Sequence, residues 1–388
     1  MQGITGATGF VGLYHVVMAL RAGEEVKVLV RDARVLAPLR SEKLHIIEGD
    51  LADTAALDAF CEGLDTCYHY AARANFKGDW KRFEEVNLKG TEALLRAAAK
   101  VDRFIFCSSY SSVLRDVHRH EADETLPYPR RFLDNYGKSK ALAEQACLRL
   151  HPGATVMRPP WIWGAGDTNN LAALLRAHQN GQLRMAGDGL NLVETVHVQN
   201  VVNACILAAR DDAARGQVYF VTDDEPLPYK HFCQQLLQSC ALPPTIKTMP
   251  QSIARLLAKV DGLAGNPLGM TRSAISYMSR TKTFSDAKIR AHLGYAPETD
   301  RADGLADLRR WVDHVGGPAQ IGVGRRRGAN SDLMERTCDY LMQQTPLLKS
   351  RPLMRPVDDG RCTALRLSTP VAASSKSLNG RKTARRAA

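Results

Sequence analysis

The sequence lacks the features that mark membrane, secreted or fibrous chains. No charge-free apolar run among its 388 residues approaches the roughly 18 residues of a membrane span. No basic segment followed by an apolar one opens the chain, so nothing supports secretion. Nine cysteines are present: Cys61, Cys67, Cys107, Cys147, Cys205, Cys233, Cys240, Cys338 and Cys362. None forms a C-x-x-C pair or sits beside a histidine cluster, which excludes a disulfide framework and argues against a zinc site. Reduced thiols in a cytoplasmic protein are the expectation, with no metal. Aromatic residues are scarce, at 6%. Only Tyr340 lies beyond Gly317, which leaves that basic stretch without a platform for stacking bases.

The net charge of +11 is unevenly placed. Residues 317–388 hold 14 Lys/Arg and 5 Asp/Glu, a net +9, so the first 316 residues carry only +2. No acid follows Asp359. The expectation is a basic, disordered tail over 317–388, with a short helix near Ser331 to Gln344, and no specific nucleic-acid partner.

Before the tail, short β-branched runs alternate with helical patterns. Strands are expected at Ile4-Thr5, Val26–Val30, Leu44–Ile47, Cys67–Tyr70, Phe104–Cys107 and Ala154–Arg158. Helices are expected at Val11–Leu20, Thr54–Cys61, Trp80–Ala99 and Tyr136–Leu150. The first strand is short for its role, which implies a natural start a few residues earlier. This alternation predicts an α/β fold, a Rossmann-type doubly wound parallel sheet over residues 1–160. Residues 161–316 are less regular, with helices near Leu171–Asn180, Gln199–Ala209, Lys230–Ser239 and Gln251–Val260 and strands near Thr195–Val198 and Val218–Val221. They are expected to form a smaller C-terminal substrate lobe interleaved with the sheet, over the carboxyl ends of its strands.

Gly6-Ala7-Thr8-Gly9-Phe10-Val11-Gly12 places three glycines between the first strand and the first helix. Glycines permit the tight turn and the backbone approach to a pyrophosphate, and a helix N-terminus supplies unpaired N–H groups. Gly6, Thr8, Gly9, Phe10, Val11 and Gly12 are therefore the candidate cofactor loop. The second strand ends Val30-Arg31-Asp32-Ala33-Arg34. A cation at that point suits the 2′-phosphate of NADP, and an acid suits the 2′-hydroxyl of NAD. Arg31 favours NADP, and the neighbouring Asp32 keeps NAD open.

Tyr136-Gly137-Lys138-Ser139-Lys140 forms Y-x-x-x-K at the start of a helix, which puts Tyr136 and Lys140 one turn apart on one face. Oxidising an alcohol needs a base for its proton, and reducing a ketone needs an acid. A free phenol titrates near 10, too high for a base at neutrality. The Lys140 ammonium is expected to lower that value and to hold the nicotinamide ribose. A serine hydroxyl at the end of the fifth strand orients the reacting oxygen, and Ser109 is chosen over Ser108 and Ser111.

With these residues in place, the chain resembles an extended short-chain dehydrogenase/reductase, and within that group the 3β-hydroxysteroid dehydrogenase and sterol-4α-carboxylate 3-dehydrogenase family. The superfamily marks are Thr5–Gly12, Gly49-Asp50-Leu51, His69-Tyr70-Ala71-Ala72, Val86-Asn87-Leu88-Lys89-Gly90-Thr91, Ser108-Ser109 and Tyr136–Lys140. The narrower ones are Arg158-Pro159-Pro160-Trp161, Gly187–Val193 with Val196–Val201, Gly216–Pro226 and Leu293-Gly294-Tyr295-Ala296-Pro297. The resemblance covers about residues 1–315. It implies cofactor contacts at Asp50, Leu51, Ala71, Ala72, Asn87 and Pro159, besides the loop, Tyr136 and Lys140.

Two departures have physical content. Nucleotide-sugar epimerases of the superfamily carry an arginine for the substrate diphosphate, where this chain reads Asn191-Leu192-Val193-Glu194. The missing cation favours an apolar substrate, a 3β-hydroxysteroid or 4-carboxysterol. Sterol enzymes of eukaryotes have a membrane-associated apolar segment, whereas here Ile253–Leu263 is interrupted by Arg255, Lys259 and Asp261. It reads as an amphipathic surface helix with peripheral membrane contact as a secondary role. A homodimer is a further expectation. The alternatives carried forward are reduction of another ketone (a 2-alkyl-3-ketoacid or flavonoid-like compound), nucleotide-sugar epimerisation, and a non-enzymatic NADP-binding redox sensor.

Overall fold

Burial is nearly continuous along the central strands, as a parallel sheet covered on both faces requires. The computed structural model describes residues 1–74, 78–223, 225–263, 271–322 and 329–343. Its first strands are β1 (Gln2–Thr5), β2 (Val26–Val30), β3 (Leu44–Glu48), β4 (Thr66–His69), β5 (Arg103–Cys107), β6 (Arg119–Ala122) and β7 (Thr155–Arg158). The main sheet has seven parallel strands in the order Val218–Phe220, β7, β5, β4, β1, β2, β3. The order reverses at β1, between β2 and β4, which opens a crevice at the carboxyl edge there.

One face of the sheet presents Ile4, Val26, Val28, Ile105 and Met157 to helices α1 (Phe10–Arg21) and Val198–Arg210. The other presents Leu29, Cys67, Phe104, Phe106 and Val156 to helices Thr54–Cys61, Gly90–Ala97 and Asn135–Leu150. The last of these carries Ala143, Ala146 and Cys147 inward, small side chains that let it lie close to the sheet. Each fully buried large side chain here contributes about 1.5–3 kcal/mol.

The expected helix over Trp80–Ala99 is not uniform. An α-helical turn at Trp80–Phe83 passes into a π-helical stretch, Glu84–Lys89, and then into Gly90–Ala97. Such wide turns gather at functional sites, and this one holds the buried Asn87.

Beyond β7 a four-stranded sheet runs Leu227–Pro228, Leu192–Val193, Lys282–Phe284, β6. Helix Arg272–Ser279 leads into its third strand. Helix Gln251–Leu263 differs from a surface helix with its apolar face packed: Ala254 is buried against Ala186 and Ile275, while Ile253, Leu256 and Val260 are 50%, 62% and 57% exposed. Alanine at the contact allows close approach, and the bulky side chains are left outside. No helix among the described residues is long and apolar enough to cross a membrane.

The region expected as a disordered tail begins with structure. Residues Pro318–Gly322 and Ala329–Gln343 are helical, the second close to the helix expected near Ser331. Leu333, Cys338, Tyr340 and Leu341 are buried, an apolar stripe at helical spacing within the basic stretch. The Tyr340 hydroxyl donates to Asp307 Oδ1 at 2.6 Å, Trp311 Nε1 to Thr337 Oγ1 at 3.2 Å, and Arg21 Nη1 to the Leu341 carbonyl at 3.1 Å. The arginine-rich remainder, from Arg361 to Arg386, lies outside the described residues.

Candidate active site

The glycine loop leaves β1 at the switch point. Gly6 adopts φ +73°, and a Cβ there would stand 2.7 Å from the Ala71 nitrogen. A Cβ on Gly12 would stand 2.3 Å from the Gly6 carbonyl oxygen, so α1 meets the loop only with glycine at that position. The Gly9 amide donates to the Gly6 carbonyl at 2.8 Å. No side chain caps α1 and its first turn holds no acid, so the positive end of its dipole is unneutralised. A backbone cradle with no side chain in it and an uncapped helix N-terminus fit a dinucleotide pyrophosphate. Thr8 lies in this turn, and Phe10 and Val11 begin α1, packed against the main core.

The other expected cofactor residues surround this edge. Arg31 is exposed at the end of β2, which pairs with β3, and Asp50 and Leu51 follow β3. Asp32 is paired within its own loop. Its carboxylate takes both Arg34 Nε at 2.9 Å and Arg34 Nη2 at 2.8 Å, and caps the following short helix. Arg34 is thereby committed to Asp32, which leaves Arg31 as the cation of this loop available to a ligand. Asp50 is exposed and accepts from the Ala52 amide, and Leu51 is buried.

Ala71 and Ala72 continue from β4. The Thr5 hydroxyl accepts from the Ala71 amide at 3.3 Å and shares a 2.7 Å hydrogen bond with His69 Nδ1, while His69 Nε2 meets Thr91 Oγ1 at 2.8 Å. Burial lowers the His69 pKa to about 3, so the ring is neutral. Asn87 accepts from the Arg73 amide at 2.7 Å and donates to Ser139 Oγ at 2.8 Å. It thus ties the extension of β4 to helix Asn135–Leu150. Pro159 follows β7 and accepts from the Tyr110 amide at 3.1 Å.

The helix bearing Tyr136 and Lys140 is capped by Asp134, whose Oδ1 accepts from the Gly137 amide at 2.7 Å. Lys140 is buried. Its ammonium donates to the Cys107 carbonyl at 2.7 Å and stands 4.1 Å from the centre of the Phe106 ring. Burial depresses the lysine pKa. Tyr136 is half-buried, and desolvation raises its phenol above the ordinary value, with Cys107 adding to the rise and a hydrogen bond from Ser109 opposing it. The expected lowering by Lys140 is not among the influences on the phenol, and one of the ammonium's three donors is given to the end of β5.

The serines separate cleanly. Ser108 Oγ donates to the buried carboxylate of Glu144, which also takes Arg158 Nη2 at 2.7 Å and the Tyr128 hydroxyl at 2.9 Å. That side chain is structural. Ser109 faces the phenol, and its Oγ lies 2.9 Å from Ser111 Oγ. Ser111 in turn meets the Tyr277 hydroxyl at 3.2 Å, from helix Arg272–Ser279. The sequence pattern did not point to Glu144 as the partner of Arg158, or to Tyr277. Glu144 lies one turn beyond Lys140 and so shared a legible face; Tyr277 stands in an irregular stretch that carries no motif.

In space the Asn191–Glu194 segment lies against Tyr277–Lys282, which carries Arg280 and Lys282. Asn191 Nδ2 donates to the carbonyls of Tyr277 and Arg280, both at 3.1 Å. Glu194 is buried and pushed up to about 8 by desolvation. The eight cysteines within the described residues are buried and unpaired.

Residues 3–250 match the 3-beta hydroxysteroid dehydrogenase/isomerase family. A 4-hydroxy-2-methyl-3-oxo-4-farnesyl-3,4-dihydroquinoline-1-oxide ketoreductase of Stigmatella aurantiaca is 31% identical over 82% of this chain and 97% of its own. A 3 beta-hydroxysteroid dehydrogenase/Delta 5-->4-isomerase of Mycobacterium tuberculosis is 31% identical over 76% of this chain and 85% of its own. In fold, the chain is similar to a dTDP-glucose 4,6-dehydratase of Streptomyces venezuelae with NAD bound, with TM-score 0.65 and 23% identity over 80% of this chain and 96% of that one. The chain belongs to the 3-beta hydroxysteroid dehydrogenase/isomerase family and is an NAD(P)-dependent dehydrogenase/reductase acting on a hydroxyl or ketone group.

Proposed function

We propose that the protein interconverts a secondary alcohol and a ketone on a bulky apolar substrate, a 3β-hydroxysteroid or 4-carboxysterol, with NADP preferred over NAD. The observation that carries this reading is the convergence of Ser109 on the Tyr136 phenol beside Lys140, at the same sheet edge as the glycine cradle. The nicotinamide, when bound, supplies or accepts the hydride.

The loop of Gly6, Thr8, Gly9, Phe10, Val11 and Gly12 would hold the pyrophosphate, with Asp50, Leu51, Ala71 and Ala72 along the adenine side and Pro159 near the nicotinamide. Ser109 donates to the substrate oxygen and orients it. Tyr136 takes the hydroxyl proton during oxidation or returns one during reduction. Lys140, with donors beyond the one given to Cys107, holds the nicotinamide ribose and draws the phenol back towards the useful range. On a 4-carboxysterol the 3-keto product is a β-keto acid, which loses carbon dioxide without a further catalytic group. Arg31 supports NADP, because Asp32 is already paired with Arg34.

A second reading, reduction of another bulky ketone, is favoured by the ketoreductase similarity. It uses the same residues in the opposite direction. Reduced-nicotinamide formation with a 3β-hydroxysteroid and a 4-carboxysterol, set against oxidation of NADPH with a 2-alkyl-3-ketoacid, separates the two. The lack of a cation within the Asn191–Glu194 segment opposes a nucleotide-diphosphate substrate.

A further inference from the structure

Three hydroxyls outside the Tyr136/Lys140 pair line up in one direction. Tyr277 OH meets Ser111 Oγ at 3.2 Å, Ser111 Oγ meets Ser109 Oγ at 2.9 Å, and Ser109 hydrogen-bonds the Tyr136 phenol. A hydroxyl has one proton to give. If Ser109 donates to the substrate oxygen or to Tyr136, its one proton is committed, and the 2.9 Å contact with Ser111 must be a bond that Ser111 donates. The Ser111 amide, 3.2 Å from Ser109 Oγ, and the Ser111 hydroxyl both reach it. With the Ser111 proton given to Ser109, the 3.2 Å contact between Ser111 and Tyr277 must be a bond that Tyr277 donates.

We propose that Tyr277 is a positioning residue for the reaction: it donates to Ser111, fixes the direction of the Ser111–Ser109 hydroxyls, and so aims the Ser109 proton into the site, at Tyr136 in the free enzyme and at the substrate oxygen once substrate is bound. The inference rests on the alcohol/ketone reading above. Tyr277 comes from helix Arg272–Ser279, remote in sequence from the catalytic helix, and its placement is fixed from several sides. Asn191 Nδ2 holds the Tyr277 carbonyl at 3.1 Å, the Tyr110 ring lies 5.9 Å away, and the Lys282 ammonium stands 5.1 Å from the Tyr277 ring centre. That ammonium donates to the Ser276 carbonyl at 2.5 Å. The titratable groups facing the two phenols are Tyr110, Asp134, Lys282 and Tyr136 around Tyr277, and Cys107, Asp134, Tyr110 and Tyr277 around Tyr136. A chain of aligned donors polarises each successive bond, and its far end stabilises the Tyr136 phenolate.

The test uses the full chain labelled with ¹³Cζ-tyrosine, the Tyr136 resonance being identified by its loss in Tyr136→Phe. Tyr277→Phe and Ser111→Ala should each move that resonance, while Tyr219 and Tyr340 stay in place. In turnover, each should raise the acidic-limb pKa of kcat/KM by about half to one unit. Each should lower kcat at neutrality about three- to tenfold with KM changed less than twofold, and the double variant should be no worse than either single one. An unmoved Tyr136 resonance in both variants overturns the proposal. So does a change confined to KM or Tm with the pH profile unmoved, or multiplication of the two effects. If Tyr277→Phe fails to fold, Ser111→Ala with the same resonance and pH profile decides it. A wild type inactive on every alcohol and ketone tried overturns the alcohol/ketone reading, and the resonance still decides the hydroxyl chain.

Discussion

The Lys140 ammonium donates to the Cys107 carbonyl at 2.7 Å, which joins the middle of helix Asn135–Leu150 to the last residue of β5. That bond holds the Y-x-x-x-K helix over the strand whose next residues are Ser108 and Ser109. Acid/base and orienting groups are thereby held by regular structure rather than by a loop.

Tyr136→Phe removes the proton carrier and keeps the ring. The expected loss in kcat is about 10²- to 10⁴-fold, with dinucleotide affinity within a fewfold of wild type. Steady-state kinetics and cofactor titration by fluorescence check it.

Ser108 and Ser109 are adjacent yet should behave differently. Ser109→Ala should cost activity as well as about 1 kcal/mol of stability, since its Oγ accepts from the Ser111 amide and caps the short helix that follows, whereas Ser108→Ala should leave kcat near wild type. Ser108→Ala should cost about 1 kcal/mol of stability, because Ser108 donates to the buried Glu144. Glu144→Gln strands the Arg158 guanidinium and should cost about 3–5 kcal/mol. Denaturant unfolding and kcat, measured on the same preparations, check the contrast.

Gly12→Ala places a methyl where the Gly6 carbonyl oxygen already stands. The loop must move, and dinucleotide binding should be lost or fall more than tenfold. Arg31→Asp should reverse the cofactor preference towards NAD, read from kcat/KM with each dinucleotide.

His69 is neutral in the fold, with a pKa near 3 against 6.5 in the unfolded chain. The unfolded state therefore binds the extra proton as the pH drops below 6.5, and the stability tied to His69 is lost progressively towards pH 3. His69→Gln keeps hydrogen-bonding groups near Thr5 and Thr91. It should flatten the dependence of unfolding free energy on pH between 4.5 and 6 by about 1.4 kcal/mol per pH unit. Glu194 has the opposite sign, its pKa being raised to about 8, so its contribution is lost as pH rises from about 4.5 to 8. Comparison of each variant with wild type keeps the two apart.

The Rossmann strands were legible because both faces of a parallel sheet demand continuous β-branched runs, and the glycine loop and Y-x-x-x-K lie at its strand ends. The π-helical stretch around Asn87 was not legible, since its period is hidden inside one helical pattern. Helix Ala329–Gln343 was legible as a helix, but its docking through Tyr340 and Asp307 was not, because composition registers the arginines and not the stripe between them. Tyr277 escaped for a different reason: its hydroxyl acquires meaning only when a distant helix brings it to Ser111. The helix over Ile253–Leu263 was legible as amphipathic, but the outward placing of Ile253, Leu256 and Val260 was not, because spacing alone does not say which side of a helix the protein covers.

The most direct test is reduced-nicotinamide formation by purified protein given a 3β-hydroxysteroid or a 4-carboxysterol, with NADP and NAD in parallel and Tyr136→Phe as control. The account predicts turnover of at least one alcohol, faster with NADP and abolished in the variant. Tight dinucleotide binding with no turnover of either alcohol, or turnover that survives Tyr136→Phe, would contradict it.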